Sequence, residues 1–173
     1  MTSRQLLRNL VRGPLTEPAP AADDAALAEL AGRVHHAARA RLGRTLSIRE
    51  VDAGSCNGCE LEIHALNNVI YDLERFGLRF VASPRHADVL LVTGPVTANM
   101  REALERTYRA TPDPKWVVAV GDCARDGGIF APSAACVGGV ANVVPVDLHI
   151  PGCPPSPIAL LRGLLALLES VAA

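Results

Sequence analysis

Two cysteines stand three residues apart in Asp52-Ala53-Gly54-Ser55-Cys56-Asn57-Gly58-Cys59-Glu60. Two more stand alone, in Gly121-Asp122-Cys123 and Pro151-Gly152-Cys153-Pro154-Pro155. Each group follows a run with β-strand character. Thiolates are soft ligands, and four of them brought together form the ligand set of a cubane iron-sulfur cluster. Pro154 removes a competing N–H and stiffens its loop, while glycines at 54, 58, 121, 127, 128 and 152 let backbone approach and donate to sulfides. Two alternatives stay open. A structural zinc site also takes four thiolates, although it usually draws them from two tight C-x-x-C knuckles. A thioredoxin-like dithiol would use Cys56 and Cys59 and leave Cys123 and Cys153 unexplained. Cys136, in the apolar setting Ala134-Ala135-Cys136-Val137, is expected to be a buried small residue outside the site.

The elements that must position these loops follow from periodicity. Asp23-Asp24 opens a helix with Leu27, Leu30, Val34 and Ala38 on one stripe, ending near Gly43. Leu46 to Val51 alternates as a first strand, and the helix after Cys59 carries Ile63, Leu66, Ile70 and Leu73 on one face with Gly77 as its stop. Arg79 to Ala82 is a short strand. Asp88 to Pro95 and Trp116 to Val120 are apolar enough to be buried on both faces of a parallel sheet. Asn99, with Glu102 three residues on, is expected to cap a helix whose inner face is Met100, Ala103, Leu104, Thr107 and Tyr108. Val143 to Ile150 is a last strand, at an edge or bulge because of Pro145. Ser156-Pro157 opens the final helix, with Ile158, Leu161, Leu164, Leu165 and Leu168 facing in. Strands alternating with helices imply right-handed crossovers and a parallel sheet with ligand loops at its carboxyl edge.

A chain of 173 residues with 49% hydrophobic content builds one cored domain with an appendage. The division expected is an N-terminal arm and amphipathic helix over 1–43, with the extended arm over 1–22, and a cluster-binding domain over 44–173. A net charge of -1 argues against a nucleic-acid partner. Five cysteines and no apolar core after Met1 point to a cytoplasmic chain whose thiols serve metal. The apolar stretch from Ile158 is too short to span a bilayer and is interrupted by Arg162 and Glu169. No G-x-G-x-x-G follows a strand and no Walker-type loop occurs, so direct nucleotide binding has no support.

Glu60, Glu62 and His64 follow the cysteine pair on one helix, and Asp52, Asp122 and Asp126 lie in the loops. The plain reading of the aspartates is that they accept loop N–H bonds. Glu60 is the candidate for proton transfer, because a helix N-terminus favours the carboxylate while a dry, partner-covered site favours the acid. His35 and His36 are expected to be solvated.

These residues resemble those of the small iron-sulfur subunits of energy-converting, membrane-bound [NiFe] hydrogenases, including formate hydrogenlyase, and the homologous B subunit of NADH-quinone oxidoreductase, complex I. The resemblance runs from about Ser47 to the last helix. It is carried by Cys56-Asn57-Gly58-Cys59-Glu60-Leu61-Glu62, Ser83-Pro84-Arg85-His86-Ala87-Asp88, Thr93-Gly94-Pro95-Val96-Thr97, Gly127-Gly128-Ile129-Phe130 and Val144-Pro145-Val146-Asp147 through Cys153-Pro154-Pro155. It implies a flavodoxin-like α/β fold and one 4Fe-4S cluster on Cys56, Cys59, Cys123 and Cys153. It implies a large catalytic partner, [NiFe] hydrogenase-like or complex I D-subunit-like, with a ferredoxin-like iron-sulfur subunit and membrane subunits beside it. A peripheral place on the cytoplasmic side of the membrane, held by partners, goes with that assembly. Complex I members carry two adjacent cysteines in the first motif, so the separated pair here sits nearer the hydrogenase branch. A conductor of electrons, rather than a complete enzyme, is the expectation.

Overall fold

The computed structural model describes residues 24–170; the arm expected over 1–22 lies outside them. In chain order the elements are α1 (Asp24–Leu42), β1 (Ser47–Asp52), α2 (Gly58–Ala65), β2 (Arg79–Phe80), β3 (Val89–Thr93), β4 (Val96–Thr97), α3 (Ala98–Ala110), β5 (Trp116–Val120), α4 (Asp122–Asp126), β6 (Cys136–Gly138), β7 (Leu148–Ile150) and α5 (Pro157–Ser170). Five of these strands form one sheet in the order β2-β1-β3-β5-β7, and every pairing in it is parallel. With its strands numbered by their place in the chain this is 2-1-3-4-5, the flavodoxin-like order. β4 and β6 make a separate antiparallel pair.

Every residue of β3 and β5 is buried, as a central strand covered on both faces requires. One face meets α1, α2 and α5, where Ile48, Leu91 and Val118 pack with Val34, Ile63, Leu161 and Leu164. The other meets α3 and the loops before β7 through Leu90, Val92, Val117, Leu104 and Val140. The stripe of α1 is thus part of the same core as the sheet. Ser156 Oγ accepts the Ala159 N–H at 3.3 Å, which starts α5 where its sequence places the cap.

Several elements differ from expectation: β2 covers only Arg79–Phe80 of the expected Arg79 to Ala82, Ile158, expected to face in, is 39% exposed, and three others differ more. The helix after Cys59 stops at Ala65, not near Gly77. Asn68 ends it: its Oδ1 accepts the N–H groups of Ile70 and Tyr71 at 2.9 and 3.0 Å, offering them an alternative to helical bonds. Leu66 and Leu73 still reach the core, but Ile70 is 58% exposed. The helix expected to be capped by Asn99 begins two residues earlier, with Thr97 as cap and no side-chain bond. Glu102 pairs with Arg106 on the outer surface instead, and of the expected inner face only Leu104 is fully buried. The last strand covers Leu148–Ile150 only, because a 3-10 turn over Val140–Asn142 precedes it and Pro145 lies outside. It is an edge strand.

Asp88 sets the level at which β3 starts beside β1. Its Oδ2 accepts the Ser47 N–H at 2.9 Å, its own N–H donates to the Ser47 carbonyl at 2.8 Å, and Arg44 embraces the carboxylate with both terminal nitrogens. The carboxylate is buried while Arg44 is mostly solvated, so the two partners contribute unequally. Asp88→Ala should therefore destabilise the chain by about 3 kcal/mol, and Arg44→Ala by about 1 kcal/mol. Denaturant unfolding followed through the single, buried Trp116 measures both. Equal losses would mean that the two partners contribute alike.

Candidate metal centre

Each cysteine loop is shaped by the strand it leaves. At the end of β1, Asp52 Oδ1 accepts the N–H groups of Gly54 and Ser55, each at 2.7 Å, and turns the chain at once. Gly54 has φ +106°, and a Cβ there would lie 2.3 Å from Thr97 Cγ2, so only glycine fits. Ser55 Oγ accepts the Asn57 N–H at 3.0 Å. Asn57 takes a left-handed conformation, φ 70°, which asparagine tolerates better than most residues. Cys56 then precedes α2, and Cys59 lies in its first turn.

The other two loops are joined to each other. The Asp122 N–H donates to the Gly152 carbonyl at 2.9 Å, and the Gly152 N–H donates to Asp122 Oδ1 at 3.2 Å. His149 Nε2, as an N–H donor, reaches the Gly121 carbonyl at 3.1 Å. Cys123 in α4 and Cys153 before Pro154 are thereby held as one unit. Asp126 Oδ1 likewise accepts the Gly128 N–H at 2.9 Å. The loop aspartates are thus hydrogen-bond acceptors that shape turns.

Cys56, Cys59, Cys123 and Cys153 line one cavity of about 130 Å³ together with Gly58, Gly94 and Gly152. All are free thiols, with Cys56 and Cys153 exposed and the other two half-buried. Cys136 is not part of it; half-buried on β6, its sulfur accepts the Gly138 N–H at 3.3 Å. Among the described residues no three His, Cys, Asp or Glu side chains converge closely enough to hold a single metal ion. The thiols surround the cavity instead of meeting at its centre.

Two observations test this cavity against a positively charged, multi-iron group, and both fit. Glycines make room for the sulfurs: a Cβ at Gly121 would stand 2.7 Å from Cys59 Sγ, and one at Gly128 would stand 2.8 Å from Cys123 Sγ. The electrostatics also point that way. Burial pushes the Cys59 thiol up to about 12, with further pushes from Glu60 and from the other three cysteines. Burial raises Cys123 as well, followed by Cys153 and Cys56. The cysteines that add to the rise at Cys59 and Cys123 are close neighbours of those two thiols, and a cationic centre among the four favours the thiolate form.

Glu60 is 5% exposed and neither of its carboxylate oxygens has a hydrogen-bond partner. Glu62, two residues on, is half-buried. One acidic group escaped the sequence analysis: Glu50, on β1, has a buried Oε1 without a partner, and its Oε2 lies 3.6 Å from His64 Nε2. Burial holds Glu50 above the usual carboxylate range; His64 opposes that shift, while Glu60 and Asp52 add to it. A signal was present, since Glu50 shares the strand phase of the core residue Ile48.

Comparison with known proteins follows the same residues. Residues 56–167 match the family described as NADH ubiquinone oxidoreductase, 20 Kd subunit. The chain is 47% identical over 131 residues to a probable membrane-bound hydrogenase subunit, mbhJ, of Pyrococcus furiosus, an overlap that covers 76% of this chain and 78% of that protein. It is 48% identical over 132 residues to formate hydrogenlyase subunit 7 of Escherichia coli, over 75% of this chain and 52% of the relative, so it spans about half of that protein's length. A chain in the solved structure of the membrane-bound sulfane sulfur reductase, an archaeal respiratory membrane complex, superposes with a TM-score of 0.66 at 35% identity, over 81% of this chain and 75% of that one.

The thiol electrostatics generate a chemical prediction. In iron-free chain treated with iodoacetamide at pH 8, Cys56 and Cys153 should be alkylated first and Cys59 last, because a pKa near 12 lowers its thiolate fraction about a thousandfold below that of an ordinary thiol. Raising the pH toward 12 should close the gap. Peptide mass spectrometry at timed intervals reads the order, and equal rates at Cys59 and Cys56 would contradict it.

Proposed function

The chain belongs to the family of the 20 kDa subunit of NADH ubiquinone oxidoreductase, and from that premise we propose that it holds one 4Fe-4S cluster on Cys56, Cys59, Cys123 and Cys153. In this reading it passes electrons to or from the active site of a large partner subunit in a membrane-bound, hydrogenase-type complex. The observation that carries the reading is the convergence of four thiols, from three strand-end loops, on one cavity. A tetrahedral zinc needs its four sulfurs within one bond length of a point, whereas a cubane takes one thiolate at each of four irons and leaves the sulfurs apart. Surrounding thiols favour the second.

The cluster, when bound, supplies a one-electron carrier. The chain's own part is to place it at a surface and leave one side accessible. Cys56 and Cys153 are exposed, and beside Cys123 and Cys153 a shallow cleft includes Arg125, Asp126 and Ile129. Ile129 is 80% and Phe130 37% exposed, an apolar fringe suited to a large subunit covering the site. The separated Cys56 and Cys59, with the mbhJ and formate hydrogenlyase relatives, support a hydrogenase-type partner. The family's own description favours the second reading, delivery of electrons to quinone. Among the described residues no helix is long and apolar enough to cross a membrane, so a place on the cytoplasmic side would be held by the large subunit, a ferredoxin-like iron-sulfur subunit and membrane subunits. Glu60 is the proposed proton-transfer residue, buried beside Cys59 with neither carboxylate oxygen hydrogen-bonded.

Reconstituted protein should absorb broadly near roughly 400 nm and bleach on reduction. Cys153→Ser should lose that band and its iron together with assembly, since cluster binding contributes to folding, while Cys136→Ser keeps both. A colourless, zinc-loaded protein would end the cluster reading, and iron lost from the Cys136 variant alone would replace the fourth ligand.

Glu60→Gln keeps the shape and cannot ionise. It should leave iron content and assembly intact and slow turnover of the whole complex by about tenfold to a hundredfold, with an altered pH profile. Glu62→Gln should do less. Wild-type rates for Glu60→Gln at every pH would restrict this subunit to electron transfer.

A further inference from the structure

The sheet steps inward beside β1. The Arg79 and Val81 N–H groups donate to the Leu46 and Ile48 carbonyls at 3.1 and 2.8 Å, so the even-numbered residues of β1 face β2. The odd-numbered ones face β3: the Ser47 carbonyl accepts the Asp88 N–H at 2.8 Å, and Ala53, just past the strand, donates to the Thr93 carbonyl at 3.0 Å. β2 ends at Phe80, and the chain turns away at Ser83-Pro84. By the alternation of backbone groups along a strand, Glu50 and Asp52 direct their N–H and C=O to the same side as Ile48, where no strand remains to receive them. A cavity of about 250 Å³ lies there beside Glu50, walled by Ile63, His64 and Asn67 on α2 and the turn after it, and by Phe80 and Ala82 where β2 gives out.

We propose that an extended segment of the large partner subunit lies in this cavity as an added strand, pairing its backbone with the edge of β1 at Glu50. A backbone N–H and C=O are strong groups that demand partners. Those at Glu50 stand at strand spacing in a half-buried recess, so the ligand that matches them is another backbone. The Glu50 side chain adds selectivity. Its Oε1 is buried without a hydrogen-bond partner, while Oε2 faces His64 Nε2 at 3.6 Å, so the residue of the segment beside it carries an amide or a hydroxyl, either of which bonds a carboxylate or a carboxylic acid. The recess is walled by α2 and by the end of β2, and it offers the backbone groups of one or two residues. It therefore admits a single free stretch of chain and excludes the edge of a folded sheet. β1 runs at Asp52 straight into the turn that carries the first cysteine pair, which assigns the segment to the subunit that covers the cluster mouth. The inference rests on the proposed function in requiring that subunit.

Hydrogen exchange at single amides tests the pairing. In the full chain alone, the Arg49 and Val51 amides, bonded to β3, should exchange slowly and the Glu50 amide at the rate of an open edge. In the complex with the large subunit, Glu50 should slow by at least about a hundredfold. Unchanged exchange at Glu50 in the complex overturns the proposal. Protection already present in the chain alone overturns it too, in favour of this chain's own N-terminal residues, or of a second copy if dilution removes it. Two variants within the complex separate backbone from side chain. Glu50→Ala removes the carboxyl group alone, whereas Glu50→Pro also removes an N–H that β1 does not give to β3. Association with the large subunit should weaken at least about tenfold more in the proline variant than in the alanine variant, with iron content and visible absorption unchanged in both. Equal weakening overturns backbone pairing, and so does loss of iron in either variant, which makes Glu50 a support of the cysteine loop. If proline unfolds the chain, as Trp116 fluorescence reports, the exchange measurement decides by itself. Protection at Glu50 in a complex that carries no iron would end the cluster reading and leave this one standing; iron bound without protection does the reverse.

Discussion

The ends of four parallel strands lie level with one another. Asp52 pairs with Thr93, Thr93 with Val120 and Val120 with Ile150, so β1, β3, β5 and β7 stop in one row across the sheet. In a parallel sheet every strand runs the same way, and all the loops that leave the carboxyl ends emerge on one side. Cys56, Cys123 and Cys153 come four, three and three residues after that row. Three stretches of chain, distant in sequence, thereby deliver thiols to one place without a long excursion by any loop. A register slip of one residue between β5 and β7 would turn each inward side chain outward and separate Cys123 from Cys153.

Polar groups at the opposite edge hold that register. Asp88 grips the start of β1, and Asp147 does the same for β5, accepting the Val117 N–H at 2.7 Å while donating its own N–H to the Val117 carbonyl at 2.9 Å. The apolar faces of β3 and β5 supply the driving force, but they are nearly uniform runs of valine and leucine and carry little information about alignment. The two aspartates, Asp88 buried and Asp147 at the surface, supply it. The same division recurs at the cysteine edge, where glycines clear space for sulfur and Asp52 and Asp122 fix the turns.

What could be read from residues alone follows that physics. The alternation of apolar runs with helical stripes is a backbone-level pattern, so the parallel sheet, its carboxyl edge and the grouping of four cysteines were all legible. Leu161, Leu164 and Leu168 announced their helix in the same way. Side-chain competition was not legible. Asn68 could have stayed on a helix surface; it captured two N–H groups and ended the helix a dozen residues early. Asn99 and Glu102 formed a plausible cap, yet the chain had already entered the helix at Ala98. Glu50 holds one carboxylate oxygen out of reach of any hydrogen-bond partner beside a β2 only two residues long, and strand length at an edge is set by where the chain turns away, at Ser83-Pro84, not by any pattern in β1 itself.

Those short edges bear on a different hazard. The sheet ends in a two-residue strand on one side and a three-residue strand on the other. An exposed edge is a template on which a second chain can add its own strand, and its reach grows with the number of free N–H and C=O groups. A subunit of a larger assembly spends part of its life waiting for neighbours, with its apolar fringe and its thiols uncovered. Two blunt edges give like copies little backbone to pair with during that wait, which keeps the waiting subunit from being lost to self-association before its neighbours arrive.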